Sequence, residues 1–252
     1  MLGNDSGNPF RKPMKKPSAL LLVACLTGGA VSHAAMVASY QFDGGSATPA
    51  STDTDPDSTA QAFGVGSGIN GGTLRYSTYN STTGTRSAAM FTAETNGTDE
   101  TSTVAANDYW TFTVTTSTGV LNLETLSFNH GSSVNIESTI FIRSSVDDFA
   151  TTIYTTGAYS VSSGGGVNGF TPPGGTSPHL AVINLASNPA YQGLTSIEFR
   201  LYGFDNSSTT ADTGGVRIDN VQLTTIPEPS ILLSAAFPLF FIIRRRTHRP
   251  SC

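Results

Sequence analysis

The chain has 252 residues, 12% of them charged, and a formal net charge of −5. That length accommodates one sizeable domain plus processing segments. Few helix formers, beside abundant Gly, Ser, Thr, β-branched and aromatic residues, point to strands joined by small polar turns. Charge is uneven: from residue 35 to 226, five arginines stand against sixteen acids, a net of −11, which leaves no electrostatic footprint for nucleic acid.

Residues 14–34 read MKKPSALLLVACLTGGAVSHA. Two lysines, an apolar stretch over 19–26 and the small-residue site Ser32-His33-Ala34 form the pattern of a secretory signal, with cleavage after Ala34. Residues 1–13 read as an upstream extension or a long n-region. A second reading stays open: Leu22-Val23-Ala24-Cys25 resembles the lipobox of bacterial lipoproteins, in which the cysteine is acylated. On either reading the chain is expected to be exported. Cys25 and Cys252 both lie in end segments, so the middle is expected to hold no disulfide despite an oxidising compartment.

Residues 44–107 are rich in Gly, Ser, Thr and Asp. Within them Asp53-Thr54-Asp55-Pro56-Asp57 alternates acids as a Ca²⁺ loop does. The loop template wants Gly at its sixth place and an acid at its twelfth, and here those places hold Ser58 and Gly64. A solvated acidic loop is the better reading.

Residues 108–225 carry longer strands. Trp110, Phe112 and Val114 alternate with threonines, and Ile197, Phe199 and Leu201 alternate with Glu198, Arg200 and Tyr202, so each run has one apolar face. Leu121, Leu123, Leu126 and Phe128 form another run, and Ile140-Phe141-Ile142 a further one. The last strand, 216–223, changes its inward phase near Asp219, which predicts a bulge. Gly-rich turns separate the runs, and no segment has a convincing amphipathic helical pattern. The expected architecture is all-β, a sandwich or barrel.

No catalytic constellation is visible. His130 and His179 sit in no metal-binding or nucleophile-base motif. Asp147-Asp148 cannot face each other across a glycosidic bond from a strand, and in a turn they are simply hydrated. Trp110 shares the apolar face of its strand and is expected in the core. Tyr109 and Tyr202, on the opposite faces, are the candidate sugar-stacking rings.

The C-terminal end reads Ile226-Pro227-Glu228-Pro229-Ser230, then ILLSAAFPLFFII over 231–243, then Arg244-Arg245-Arg246, with a basic tail to residue 249. Thirteen residues at 1.5 Å each span about 20 Å, short of a ~30 Å hydrocarbon core, and snorkelling arginines plus local thinning close the gap. The arginines are expected to stay cytoplasmic, with the domain outside. Pro-Glu-Pro, a short apolar helix and an arginine cluster, in that order, resemble the PEP-CTERM sorting signal of Gram-negative, exopolysaccharide-producing bacteria. The resemblance covers residues 226–252. It implies an exosortase, a membrane cysteine protease, as a partner that cuts near Pro227-Glu228-Pro229. Pro238 inside the helix and the polar 247–252 tail depart mildly from the pattern.

The opening strand, 37–43, and the closing strand, 216–223, resemble those of jelly-roll β-sandwiches found in carbohydrate-binding modules and PEP-CTERM ectodomains. That resemblance implies pairing of the first and last strands, and a structural Ca²⁺ helped by Asp219 with Asp43 as its partner. The chain therefore divides into 1–34 (extension and signal), 35–225 (jelly-roll-like ectodomain) and 226–252 (sorting segment). The expected function is that of an exported, non-catalytic surface or matrix protein, structural or associated with extracellular polysaccharide. The alternative is a secreted, glycan-acting hydrolase with an unrecognised site.

Overall fold

Alternating apolar residues and small turn residues build strands almost throughout, as a computed structural model shows for residues 34–43, 46, 48–80, 85–91, 97–132, 137–160, 179–205 and 215–226. In chain order the strands are β1 (Met36–Tyr40), β2 (Ser58–Ala60), β3 (Gly64–Val65), β4 (Arg75–Asn80), β5 (Thr85–Phe91), β6 (Tyr109–Thr116) and β7 (Leu123–Ser132). There follow β8 (Glu137–Ser144), β9 (Tyr154–Thr155), β10 (Tyr159–Ser160), β11 (His179–Asn184), β12 (Ser196–Asp205) and β13 (Gly215–Thr225). Among the described residues one α-helix, α1, spans Glu100–Ala106, beside three single-turn 3-10 helices.

All pairings are antiparallel and fall into two sheets. The first has the order β11-β7-β13-β5-β4, with β1 also on β13. The second has the order β10-β8-β12-β6-β2, with β3 on β6 and β9 on β8. Their inner faces form one core. Tyr40 of the first sheet lies 5.4 Å from Phe112 of the second, and Phe112 lies 5.6 Å from Phe199 on the neighbouring strand. Trp110, Val114, Ile140, Ile142, Ile197 and Leu201 join Val37, Leu126, Phe128 and Ile218 there, all buried. Each such side chain contributes about 1.5–3 kcal/mol by leaving water, so the two periodic runs read from the sequence are the core's main stripe. This is the expected all-β sandwich.

The predicted bulge is present. The β13–β7 register shifts between Asp219 and Gln222, and Asn220 takes the left-handed conformation at φ 50°. Inward residues are therefore Ile218 and then Val221, three apart rather than two. At the same point β13 changes partner on its other edge. Val216–Ile218 pair with β5, whereas Val221–Thr224 pair with β1. The first and last strands of the domain thus lie side by side, as the jelly-roll resemblance implied.

The helix was not anticipated. Its seven residues, ETSTVAA, are too few and too polar for an amphipathic stripe. Local chemistry sets it instead. Asp99 accepts from the Ser102 backbone N–H at 2.7 Å and the Ser102 hydroxyl accepts from the Asp99 N–H at 3.1 Å, a reciprocal cap. Asn107, left-handed at φ 62°, ends the helix. Gly97 is required where the chain enters, because a Cβ there would collide with Thr103. The helix covers part of the outer face of the second sheet, where Val104 packs against a smaller cluster of Phe141, Tyr202 and Phe204.

Residues 1–33 of the expected signal segment, with Cys25, the glycine-rich turns at 164–166 and 172–175, and residues 227–252 of the expected sorting segment lie outside the described residues. These include Pro227, Glu228, Pro229, the 231–243 span and Arg244, Arg245 and Arg246. Among the described residues no helix is long and apolar enough to cross a membrane.

Candidate functional site

The two rings singled out as sugar candidates meet on the outer face of the second sheet. Tyr109 on β6, Tyr202 on β12 and Phe141 on β8 are directly opposite one another in register, making a row of three aromatic side chains across three strands. Tyr202 stacks on Phe141 with centroids 4.8 Å apart and planes 8° from parallel, and Tyr109 meets Tyr202 edge-on at 5.3 Å. The strand phase is as the alternation required, with Leu201 inward and Tyr202 outward. The expected exposure is not. Tyr202 is 1% exposed, because Phe141 and its neighbours in the cluster beside α1 cover it. Tyr109 is half-buried.

Arginines complete this face. The Arg200 guanidinium lies 3.6 Å from the Phe149 ring centroid on one side and 4.6 Å from that of Tyr109 on the other. Its Nε donates to Glu198 Oε1 at 2.8 Å, and Glu198 also accepts from the Thr111 hydroxyl at 2.9 Å. Arg143 donates to the Phe149 carbonyl at 3.1 Å and to Thr152 Oγ1 at 3.3 Å, and pairs with Glu100 of α1 at 3.5 Å. Partial burial works against the Arg200 charge, yet hydrogen bonds to Glu198 and Tyr202 outweigh it and hold the guanidinium pKa above its ordinary value. Burial pushes the Tyr202 phenol pKa up, opposed by Arg200. Both charges on this face are therefore met by carboxylates, and its chemistry is cohesive: it fastens α1 and the 145–153 loop to the sheet.

A cleft of about 310 Å³ opens at one end of the sandwich, lined in part by Ala35, Asp55, Asp57, Thr118, Asn122 and Ile226. The acidic loop forms one wall. Its carboxylates close on their own backbone: Asp53 Oδ1 accepts from Asp55 N at 2.8 Å, and Asp55 Oδ1 from Asp57 N at 3.1 Å. Asp57 Oδ1 accepts from Thr118 at 2.8 Å. At the other wall the two ends of the domain touch. Thr225 N donates to Ala35 O at 3.0 Å, and Ile226 N donates to Asn122 O at 2.7 Å. Ala34, the predicted cleavage point, is exposed beside this contact.

Asp43 lies in an exposed turn, while Asp219 is 4% exposed at the bulge and accepts from the Asn220 N–H at 2.8 Å. A Ca²⁺ ion takes six to eight oxygens. Among the described residues no three His, Cys, Asp or Glu side chains come together in a way that could hold a metal. Asp147 and Asp148 occupy an exposed turn, where Asp147 Oδ2 accepts from Thr151 N at 3.0 Å. His130 is buried with its ring 6.0 Å from Phe128, and β11 places His179 opposite it in register. Sequence reasoning missed Phe149, Arg143 and Glu100. The one signal available for Glu100 was the cap pattern Asp99–Ser102 beside it.

No protein-family model matches this chain, and no curated protein matches it either.

Proposed function

We propose that this chain is an exported cell-surface or extracellular-matrix protein, sorted by an exosortase through Pro227-Glu228-Pro229, the 231–243 span and Arg244–Arg246. Its jelly-roll-like sandwich serves a structural or polysaccharide-associated role rather than a catalytic one. The observation that carries this reading is the hydrogen bond from Thr225 N to Ala35 O. Ala35, the residue after the predicted signal cleavage, directly precedes β1, and Thr225, the last residue before the proposed sorting segment, ends the neighbouring strand β13, so both processing segments leave from one end. Cuts at Ala34 and at 227–229 would each fall outside the paired strands, and neither would remove a core residue.

The burial of Tyr202 narrows the polysaccharide part of the reading. Only Tyr109 of the pair keeps solvent exposure. One exposed ring contributes about 1 kcal/mol, so binding by this face is weak, roughly millimolar per copy, and effective only through many copies on one surface.

The test is mass spectrometry of both termini of the protein recovered from its producing cells, with a variant in which Arg244, Arg245 and Arg246 are replaced by glutamine beside it. The expected mature chain starts at Ala35 and ends within 227–229, and the variant keeps its C-terminal segment. A surface-located wild type that retains residues 230–252, or a variant trimmed like wild type, would sink the sorting assignment.

A further inference from the structure

We propose that β11 is an interface strand that pairs edge to edge, antiparallel, with β11 of a second copy of this chain, Leu180 of each copy standing opposite Val182 of the other. β11 ends its sheet: among the described residues it pairs with β7 on one edge and with no strand on the other. Leu180 is 61% exposed and Val182 55%, the highest values of any large hydrophobic among the described residues. They share the outer face, while Ala181 and Ile183 point into the core.

Edge strands of proteins that stay monomeric are blunted by lysine, proline, inward charge or a bulge. The β11 sequence, HLAVIN, has no lysine, arginine, acid or proline, and its six-residue register with β7 runs without a shift. An edge that no strand among the described residues pairs with, beside two exposed aliphatic side chains, is a template for another strand.

Charge leaves this strip open to a second copy, and the register makes the strand complementary to itself. A domain with a net charge of −11 over 35–226 repels its own copies over most of its surface. The strip at β11 is an exception. Its outward neighbours on β7 are Thr125, Ser127 and Asn129, none charged. Glu124 lies at the Asn184 end, where its carbonyl accepts from Leu185 N at 2.8 Å. Antiparallel pairing sends the two copies' Glu124 to opposite ends of the contact. Side chains alternate with period two, so a twofold axis at Ala181 sets Leu180 over Val182 in both halves of the pair on one face. A one-residue slip would set each against the inward face and lose both contacts.

Six residues of strand bury less than the roughly 1,000 Å² that a stable interface clears. Pairing is therefore weak in dilute solution and effective where copies are concentrated. β11 runs with Asn184 toward Thr125 and Thr224, the end that holds Ala35 and Ile226. The antiparallel pair thus puts the two copies' exits at opposite ends. If sorting proceeds as proposed above, such pairs join released copies or two facing surfaces, not neighbours in one membrane. The pairing itself does not rest on that reading.

The experiment is disulfide trapping in the full chain, solubilised, with Cys25→Ser and Cys252→Ser as background. Chains carrying Leu180→Cys are mixed with chains carrying Val182→Cys, oxidised, and followed on non-reducing gels. Directly opposed residues on antiparallel strands lie about 4.5–5.5 Å apart at Cα, within disulfide reach. Val120→Cys, at a position 45% exposed and away from β11, is the comparator. The mixture should crosslink at least tenfold faster than Val120→Cys with itself or than either single variant alone. Tenfold excess of the cysteine-free background chain should slow it severalfold, and the same excess carrying Val182→Lys should not. The proposal is overturned by a rate equal to the comparator's, by Leu180→Cys linking chiefly to itself, or by equal competition from both chains. A circular dichroism spectrum matching wild type establishes that each variant is folded.

Discussion

Arg143 on β8 and Arg200 on β12 stand directly opposite each other in register. Like charges so placed repel, and Phe149 separates them: its carbonyl accepts from Arg143 while its ring lies 3.6 Å from the Arg200 guanidinium carbon. Phe149 reaches this position from a turn in which it and Asp148 are both left-handed, at φ 60° and φ 56°. That conformation is costly for a bulky side chain. The ring contact with Arg200 and the hydrogen bond from Arg143 hold it in place, and Glu198 and Glu100 in turn meet the two arginines.

A double-mutant cycle on Phe149→Ala and Arg200→Ala should give a coupling of about 1 kcal/mol, as expected for a partly exposed cation–π pair. Phe149→Gly should be more stable than Phe149→Ala by about 1 kcal/mol, because glycine adopts positive φ without a Cβ clash. Urea unfolding reads both. Alanine as good as glycine at this position would mean that the turn is not strained.

Phe199 is fully buried between Phe112 and Tyr191, at 5.6 and 6.3 Å. Phe199→Ala should destabilise by about 3–5 kcal/mol. Val182→Ala, on the exposed face, should change monomer stability by less than about 0.5 kcal/mol. Comparable losses from the two would contradict the assignment of inner and outer faces.

The Ser138 hydroxyl is fully buried and has no hydrogen-bond partner among the described residues. Leaving a buried hydroxyl unmet costs about 1–3 kcal/mol. Ser138→Ala removes that group with little change of volume, so thermal unfolding should show a variant as stable as wild type or up to about 1 kcal/mol better. A loss above 1 kcal/mol would reveal a partner for the hydroxyl.

Asn220 makes the bulge that lets β13 exchange β5 for β1. Asn220→Gly should be tolerated within a few tenths of a kcal/mol, whereas Asn220→Val should cost about 1–3 kcal/mol, since a β-branched residue resists φ near +50°. Amide exchange should localise the damage to the Met36–Tyr40 pairing. Equal stability of the two variants would separate the bulge from the conformation of Asn220.

Hydrogen bonds from the Ser102 backbone and then its hydroxyl hold the Asp99 carboxyl below its ordinary pKa. A lowered folded value means that this cap's contribution is complete above the unfolded carboxylate value of about 3.9 and is lost as pH falls through the lowered folded one. Exchange at the Thr103 amide of α1 should therefore accelerate, beyond its intrinsic pH dependence, only below about pH 4. In Asp99→Ala that acid-dependent component should be absent and the helix should fray at all pH values.

Period-two alternation made the inner faces of β6 and β12 legible without coordinates, because apolar side chains must leave water whatever strands they pair with. Trp110, Phe112, Val114, Ile197, Phe199 and Leu201 are accordingly all buried. The bulge was legible for the same reason: the distance from Ile218 to Val221 breaks the alternation within one strand. The proposed sorting segment rests on the order of its three parts, a matter of chain chemistry alone.

Tertiary structure alone decided what lies on the outer faces. Alternation sends Tyr202 outward, but whether outward means solvent depends on what folds over it, and α1 with its neighbouring cluster does so from about a hundred residues earlier in the chain. A seven-residue polar helix leaves no periodic trace, since its ends are fixed by caps rather than by a stripe. Leu180 and Val182 show the converse. Nothing in the local sequence marks them out, and their exposure follows from β11 standing last in its sheet, where no further strand or sheet among the described residues covers them. The contact between Thr225 and Ala35, separated by 190 residues, likewise exists only because β1 and β13 become neighbours. Burial by one's own strand is written in local sequence; burial by, or adjacency to, a distant segment is set by topology.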